Sequence, residues 1–287
     1  MPPEPSPEED MHLADPESPT ELARLMNQDR LVTESIGGIF PESPDLSNVH
    51  DILDMACGPG GWALEVAFTY PKIKVVGVDI SQIVVDYARA QAWSQGLDNA
   101  TFKKMNMLQP FDFPDNSFDL VNARFIAGFT PRTAWPKLVQ ECFRITRPGG
   151  IIRLTEPEMN FATTPTFVKM AVLGTQAIKS AGLGFSIDGH QINITPILGR
   201  LLRDAGYQNI QKKAHVIDFS AGEKAHYGFY QNYMIAAQLA QPFLLQMRAG
   251  TREELDQLYR DMLIEMLQDD FQALWFLLTA WGRKPVQ

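Results

Sequence analysis

Cysteine is scarce. Cys57 and Cys142 are the only two in 287 residues, which excludes a disulfide framework and a four-cysteine zinc site. Basic residues are also in short supply. The 25 Lys and Arg are outnumbered by 34 Asp and Glu, and a net charge of −9 argues against a surface built to neutralise phosphates, so nucleic acid is not an expected partner. No apolar run reaches the roughly 20 residues needed to cross a bilayer, so no membrane association is expected either. The first residues, MPPEPSPEEDMHLADP, have neither the basic start nor the apolar stretch of a signal peptide, and the expected setting is cytoplasmic. No HExxH and no clustered Asp/His set occurs, so no metal site is expected.

What the chain does have is ample apolar material, 45% of its residues, for a buried core. Its charge is unevenly placed. Residues 1–21 carry seven acids and no Lys or Arg, which leaves only about −2 for the remainder. Residues 1–17 therefore read as a disordered, acidic, Pro-rich tail. Ser18-Pro19-Thr20-Glu21 then has the pattern of a helix start, with Ser at the N-cap, Pro at the first position and Glu at the third. The helix it opens should run to Ile36 and stop at Gly37-Gly38, within an N-terminal helical segment over 18–46. Its role stays open between covering a pocket, docking on the main domain and exchanging with a neighbouring subunit, so a homo-oligomer built through it is one of the arrangements allowed.

From residue 47 to 156, apolar strands alternate with helical patterns. Strands are expected at His50–Ala56, Lys74–Asp79, Thr101–Asn106, Phe118–Arg124 and Ile151–Glu156, with helices at Gly61–Tyr70, Ser81–Gln95 and Ala134–Arg147 between them. Continuous apolar strands in repeated β-α-β units imply an α/β fold, a parallel sheet covered by helices on both faces. A helix at Thr195–Gly206 and a strand at Asn209–Phe219, within 195–220, should complete this core, with a final strand at Trp275–Gly282 within 271–287. The helical stretches in 157–194 and 221–270 read as insertions forming a lid beyond the strand ends.

The segment Asp54-Met55-Ala56-Cys57-Gly58-Pro59-Gly60-Gly61 runs from a strand through a glycine-rich turn into a helix. Glycines there allow positive φ and close approach of a ligand to the backbone. Taken alone, Gly58-x-Gly60-x-x-Ala63 also satisfies the pattern of a nicotinamide dinucleotide site, which keeps an NAD(P)-dependent oxidoreductase as an alternative. Three further features tilt the reading. Asp54 stands just before the loop, where a ligand ammonium would be served by a carboxylate. Asp79 ends the second strand, where a carboxylate can accept from two ribose hydroxyls. Finally, Phe113-Pro114-Asp115-Asn116-Ser117-Phe118-Asp119-Leu120-Val121 is followed by Pro148-Gly149-Gly150 ahead of the fifth strand.

On these residues the chain resembles the class I S-adenosylmethionine-dependent methyltransferases, close to the small-molecule branch that holds quinone-biosynthesis and secondary-metabolite enzymes. The resemblance implies a Rossmann-like, seven-stranded, mostly parallel sheet with an antiparallel last strand, and S-adenosyl-L-methionine as cofactor. Asp54 and the backbone of Ala56, Cys57, Gly58 and Gly60 would cradle its methionine part, with Ala56 standing where relatives often have Gly. Asp79 would bind the ribose hydroxyls, Ile80 would pack on the adenine, and Asn106 would meet the adenine edge with Met107 beside it. Asn122 would offer its carbonyl to the cofactor's ammonium, and Arg124 and Phe125 would border the substrate. The activity implied is in-line transfer of a methyl group to carbon, oxygen or nitrogen of a small molecule. A cofactor-binding scaffold without activity is the alternative from a different class.

A general base would serve a hydroxyl, an amine or an activated carbon as acceptor. Glu156, at the end of the fifth strand, and His190, ahead of the Thr195 helix, are the catalytic candidates, with Glu158 also considered. His226 and Tyr230 are candidates for substrate contact. The Phe- and Met-rich insertions point to an apolar or aromatic acceptor.

Overall fold

The computed structural model describes residues 17–158 and 160–286, so the tail expected over 1–17 lies outside the described residues except for Glu17. The strands are β1 (Asp51–Met55), β2 (Lys74–Asp79), β3 (Ala100–Lys104), β4 (Phe118–Arg124), β5 (Thr146–Pro157), β6 (Phe161–Ala162), β7 (Gln208–Asp218) and β8 (Ala273–Arg283). They form one mixed sheet. β3, β2, β1, β4 and β5 are parallel neighbours in that order, β8 runs antiparallel against β5, and β7 runs antiparallel against the other side of β8. Eight strands replace the expected seven because the two-residue β6 pairs with the start of β8.

The helices are α1 (Pro19–Ile36), α2 (Gly61–Thr69), α3 (Gln82–Ser94), α4 (Trp135–Ile145), α5 (Pro165–Ser180), α6 (Thr195–Asp204), α7 (His226–Leu239), α8 (Gln241–Gln246) and α9 (Arg252–Met266). The end of α4 and the cap of α1 differ from expectation. α4 ends at Ile145 because the Thr146 hydroxyl turns back to the Cys142 carbonyl (2.7 Å) and Thr146 pairs with Phe118, which draws the Pro148-Gly149-Gly150 segment into β5. At the start of α1, Ser18 has extended backbone geometry but its side chain makes no cap bond, and Glu21 is taken instead by Arg24.

Side chains of successive strand residues point to opposite faces, and here both faces are buried. Leu53, Val121 and Ile152 pack on one side with Leu138 of α4 and Leu198 of α6. Ile52, Leu120 and Ile151 pack on the other with Trp62 and Val66 of α2 and Val85 of α3. A third cluster, centred on Phe167, Phe219, Phe229 and Phe271, ties α5, α7, α8 and α9 together beyond the sheet edge. α1 lays Val32 and Ile36 into this cluster and packs along α7.

The register carries one further consequence. Asp54 of β1 lies opposite Asn122 of β4, and Asn122 lies opposite Arg153 of β5. Three polar residues on adjacent strands thus share one row of the sheet, close to its C-terminal edge.

Candidate active site

A cavity of about 640 Å³ opens at the C-terminal ends of β1, β2 and β4, between the sheet and helices α1, α5 and α7. Asp54, Ala56, Cys57, Gly58, Asp79, Ile80, Asn106, Met107, Arg124 and Phe125 all line it. Ten of the predicted site residues therefore come together, from four separate stretches of chain. The other six do not face it: Gly60, Asn122, Glu156, His190, His226 and Tyr230.

The glycine loop is held by its own backbone. Cys57 N–H donates to the Val78 carbonyl (2.9 Å), and Gly60 N–H to the Cys57 carbonyl (3.1 Å). Gly60 has φ +88°, and a Cβ on it would lie 3.0 Å from the Phe102 ring and 3.1 Å from Ala88, so its glycine is needed for packing behind the cavity. Ala56 has φ +52°, a left-handed conformation that costs an L residue energy. A glycine there would escape that cost.

Asp79 accepts from Gly58 N–H (3.0 Å) and Ser81 N–H (3.1 Å), which fixes its carboxylate between the loop and the start of α3. Ile80 beside it is 36% exposed, an apolar surface facing the cavity. The Asn106 side-chain oxygen accepts from Leu108 N–H (2.9 Å), so this amide is oriented by its own loop. Burial raises the Cys57 thiol well above its ordinary range, with the charges of Asp79 and Asp54 adding, so it is not a reactive thiolate.

Asp54 is buried and held from behind. Asn122 donates to it (2.7 Å), the Asn122 oxygen accepts from Arg153 (2.8 Å), and Arg153 pairs with the buried carboxylate of Glu42 (2.5 Å). The Asn122 side chain therefore does not face the cavity, where it was expected to offer a carbonyl to an ammonium. Its side-chain carbonyl is occupied by Arg153, and its place is behind Asp54. Burial pushes the Asp54 carboxyl up to about 7, with nearby Asp79 adding, while the Asn122 hydrogen bond and Arg153 pull it down. Among the described residues no Lys, Arg or His forms an ion pair with Asp54.

Glu156 is fully buried and accepts from Ile126 N–H (3.0 Å) and Ala127 N–H (3.1 Å). Burial pushes it up to about 8 against the pull of those two bonds. It fastens the turn after β4, in which Phe125 has φ +59° and stacks on Trp275 at the cavity wall. His190 is exposed on a loop, its backbone N–H bonded to Asp188 (2.9 Å). His226 donates Nδ1–H to the Phe219 carbonyl (3.0 Å), and Tyr230 packs on the apolar cluster of the lid helices. Glu158 lines the cavity, but its carboxylate is spent on Ile192 N–H, Asn193 N–H, Thr195 N–H and the Thr195 hydroxyl at the start of α6.

Several cavity residues went unseen in the sequence. Glu21, Arg24, Leu25, Gln28 and Asp29 stand at i, i+3, i+4, i+7 and i+8 of α1, and that face covers the cavity. The helical spacing was the available signal. Arg24 forms a bidentate pair with Glu21 (2.6 Å each) and also donates to Asn232 of α7 (2.9 Å). Arg124, expected at the substrate, pairs with Asp29 and donates to Thr33 (3.1 Å), and burial pushes it down to about 9, with the charge of Arg153 adding. Tyr233 and Asn160 also line the cavity, and nothing in their sequence neighbourhoods marked them.

Residues 52–150 match the protein family described as "Methyltransferase domain", a span that includes the glycine loop and both carboxylates. The chain is 27% identical over 180 residues to "Probable methyltransferase ltbC" of Aspergillus luteorubrus, in an alignment spanning 60% of this chain and 62% of that protein. It is 34% identical over 100 residues to the demethylmenaquinone methyltransferase of Geobacillus stearothermophilus, spanning 34% of this chain and 42% of that one. Less than two thirds of either relative's length is therefore covered. Among solved structures, phosphoethanolamine N-methyltransferase 2 of Haemonchus contortus, in complex with S-adenosyl-L-methionine, superposes with a TM-score of 0.54 at 18% identity, over 93% of this chain and 57% of that one. The likeness is one of fold: a mixed α/β, Rossmann-like methyltransferase sheet with helices around it.

Proposed function

We propose that this chain is an S-adenosylmethionine-dependent methyltransferase acting on an apolar or aromatic small molecule, a chemistry at home in secondary-metabolite biosynthesis. The observation that carries the reading is the placing of Asp54 and Asp79 on one cavity, at the ends of adjacent strands, with the glycine loop between them. The residues present fit the cofactor. Among the described residues no ion pair is made by Asp54, whose nearest favourable charge, Arg153, lies behind Asn122, and an ammonium in the cavity would supply a partner. Asp79 presents a fixed carboxylate suited to two hydroxyls, and Ile80 presents apolar surface suited to a purine face. A Cβ at Gly58 would meet nothing within 4 Å, which leaves the loop open for a ligand to lie on its backbone.

When bound, S-adenosylmethionine supplies a methyl group on a positively charged sulfur, open to in-line displacement. What the chain contributes is alignment and exclusion of water. Asp54 would hold the ammonium end and Asp79 the ribose end, and α1 covers the cleft through Arg24–Asn232 and Asp29–Arg124. Glu156 acts at one remove, holding the turn that carries Phe125 into the cavity. Calorimetric titration with S-adenosylmethionine, S-adenosylhomocysteine and NADH tests the reading. Saturable binding of the first two is expected, followed by transfer of labelled methyl to an apolar fraction of a metabolite extract. Tight binding of NADH with no response to the sulfur nucleosides would overturn it.

A further inference from the structure

Beyond the glycine loop the cavity continues into a chamber between α5 and α7, walled by Phe167, Met170, Gly174, Ala237, Leu244 and Met262. Its charged residues are already consumed. Arg24 is matched by Glu21, Arg124 by Asp29, and the Glu158 carboxylate by four donors at the start of α6. Among the described residues lining the cavity there is no Lys and no His. A phosphorylated or carboxylated acceptor would have to pull an arginine from its partner, and a cationic one would have to strip Glu158 of its hydrogen bonds. Breaking a buried pair leaves a charge uncompensated, so the chamber opposes both.

On this part of the wall, hydrogen-bonding capacity remains at Tyr233 and Asn160, which lie within hydrogen-bonding reach of each other. The Asn160 side-chain oxygen is buried and accepts no hydrogen bond from any described residue. Burial holds the Tyr233 hydroxyl well above its ordinary range, against smaller opposing effects of a hydrogen bond with the Asn160 side chain and the charge of Arg24, so it stays protonated and its own proton is available to donate. One donor beside one acceptor matches a group that both accepts and donates, as a hydroxyl does.

We propose that this chamber takes an uncharged, apolar acceptor bearing a hydroxyl, and that Tyr233 and Asn160 receive that hydroxyl. The proposal rests on the methyltransferase reading for the word acceptor, but the chamber's preference can be measured without any turnover. Gly174 provides the plug. A Cβ there meets nothing within 4 Å, so a leucine side chain would grow into the chamber from α5 with no clash at the helix and away from the glycine loop.

The experiment is calorimetric titration of the full chain with 2-naphthol, naphthalene and 2-naphthalenesulfonate, with and without saturating S-adenosylhomocysteine. Wild type should bind 2-naphthol about fivefold more tightly than naphthalene, the worth of one net hydrogen bond, and the sulfonate at least ~10-fold more weakly than 2-naphthol, as expected where a buried ion pair must open. Tyr233→Phe should bring 2-naphthol down to the level of naphthalene and leave naphthalene unchanged. Gly174→Leu should abolish binding of both while S-adenosylhomocysteine affinity is kept. A sulfonate that binds as well as 2-naphthol, a Tyr233→Phe variant indistinguishable from wild type, or no saturable 2-naphthol binding to wild type would each overturn the proposal. Failure of S-adenosylhomocysteine to bind, with the naphthol pattern intact, would instead sink the cofactor reading and leave the chamber's preference standing.

Discussion

Cofactor affinity should follow the ionisation of Asp54. Its carboxyl is pushed up to about 7 by burial, so at mildly acidic pH most molecules carry it protonated and without charge to offer an ammonium. Binding that requires the ionised form loses affinity in proportion to the protonated fraction. With the carboxyl near 7, affinity for S-adenosylhomocysteine should rise about eightfold between pH 5.5 and 6.5 and flatten above pH 7.5. The stability sign is the reverse of the common carboxylate case. The folded-state value lies above the unfolded one, so from about pH 4 to about pH 7 the native state keeps a proton that the unfolded chain has lost. This group's contribution to stability therefore falls over that window, by something on the order of 4 kcal/mol, and is constant above it. A bound ammonium restores part of that loss. Calorimetric titration across pH 5.5–8 measures the slope, and Asp54→Asn isolates it. The variant should bind roughly 10- to 100-fold more weakly at pH 7, having lost a charge-assisted bond, with a flat profile. Titrating groups nearby, such as His215 beside Arg153 and Glu42, remain in the variant and are controlled for. A wild-type profile that is flat from 5.5 to 6.5, or an Asp54→Asn profile with the same slope, would refute the reasoning.

Glu156→Gln should fold and keep methyl transfer within about threefold, whereas Glu156→Ala should lose about 2–5 kcal/mol in a urea melt because two backbone N–H groups are left without an acceptor. A hundredfold loss of kcat in a fully folded Glu156→Gln would make Glu156 a catalytic base after all. Asp79→Asn should weaken S-adenosylhomocysteine about tenfold by removing a charged acceptor while changing stability by about 1 kcal/mol or less, since the amide oxygen still accepts one backbone bond; calorimetry and a urea melt read the two effects apart. Ala56→Gly should stabilise the chain by up to about 1 kcal/mol, the left-handed strain relieved less the entropy of a glycine, and a melting temperature that falls would show that the backbone at Ala56 is not strained.

The sheet was legible because its signals are local. KVVGVD is a short, largely apolar run, and FDLVNAR keeps Phe118, Leu120, Val121 and Ala123 apolar, which is enough for buried parallel strands to declare themselves. The glycine loop was legible for the same reason, its residues being contiguous. The boundary of α4 was not, because a threonine hydroxyl bonded back to Cys142 decides it, and such a bond leaves no periodic trace. Glu156 and Asn122 were expected to face a ligand, and both are turned away from the cavity for one reason. A carboxylate or amide at a strand end reads as ligand-facing, yet whether it meets a ligand or its own backbone depends on contacts across the sheet. Asn122 is turned inward by the register that sets Asp54, Asn122 and Arg153 in one row, and Arg153 is in turn held by Glu42 from a loop 111 residues away. Tyr233 was beyond sequence reasoning because α7 is apolar around much of its circumference, so no face stands out. The polar face of α1 could have been read from its spacing, but its target could not.

The cofactor's place in the cleft between Asp54 and Asp79 is tested most directly by a crystal structure of the full chain with S-adenosylhomocysteine bound. The ribose hydroxyls should lie within hydrogen-bonding distance of the Asp79 carboxylate, the ammonium on the side of Asp54, and the sulfur should look into the chamber lined by Phe125 and Tyr233. A nucleoside seated elsewhere, or a sulfur turned away from that chamber, would contradict it.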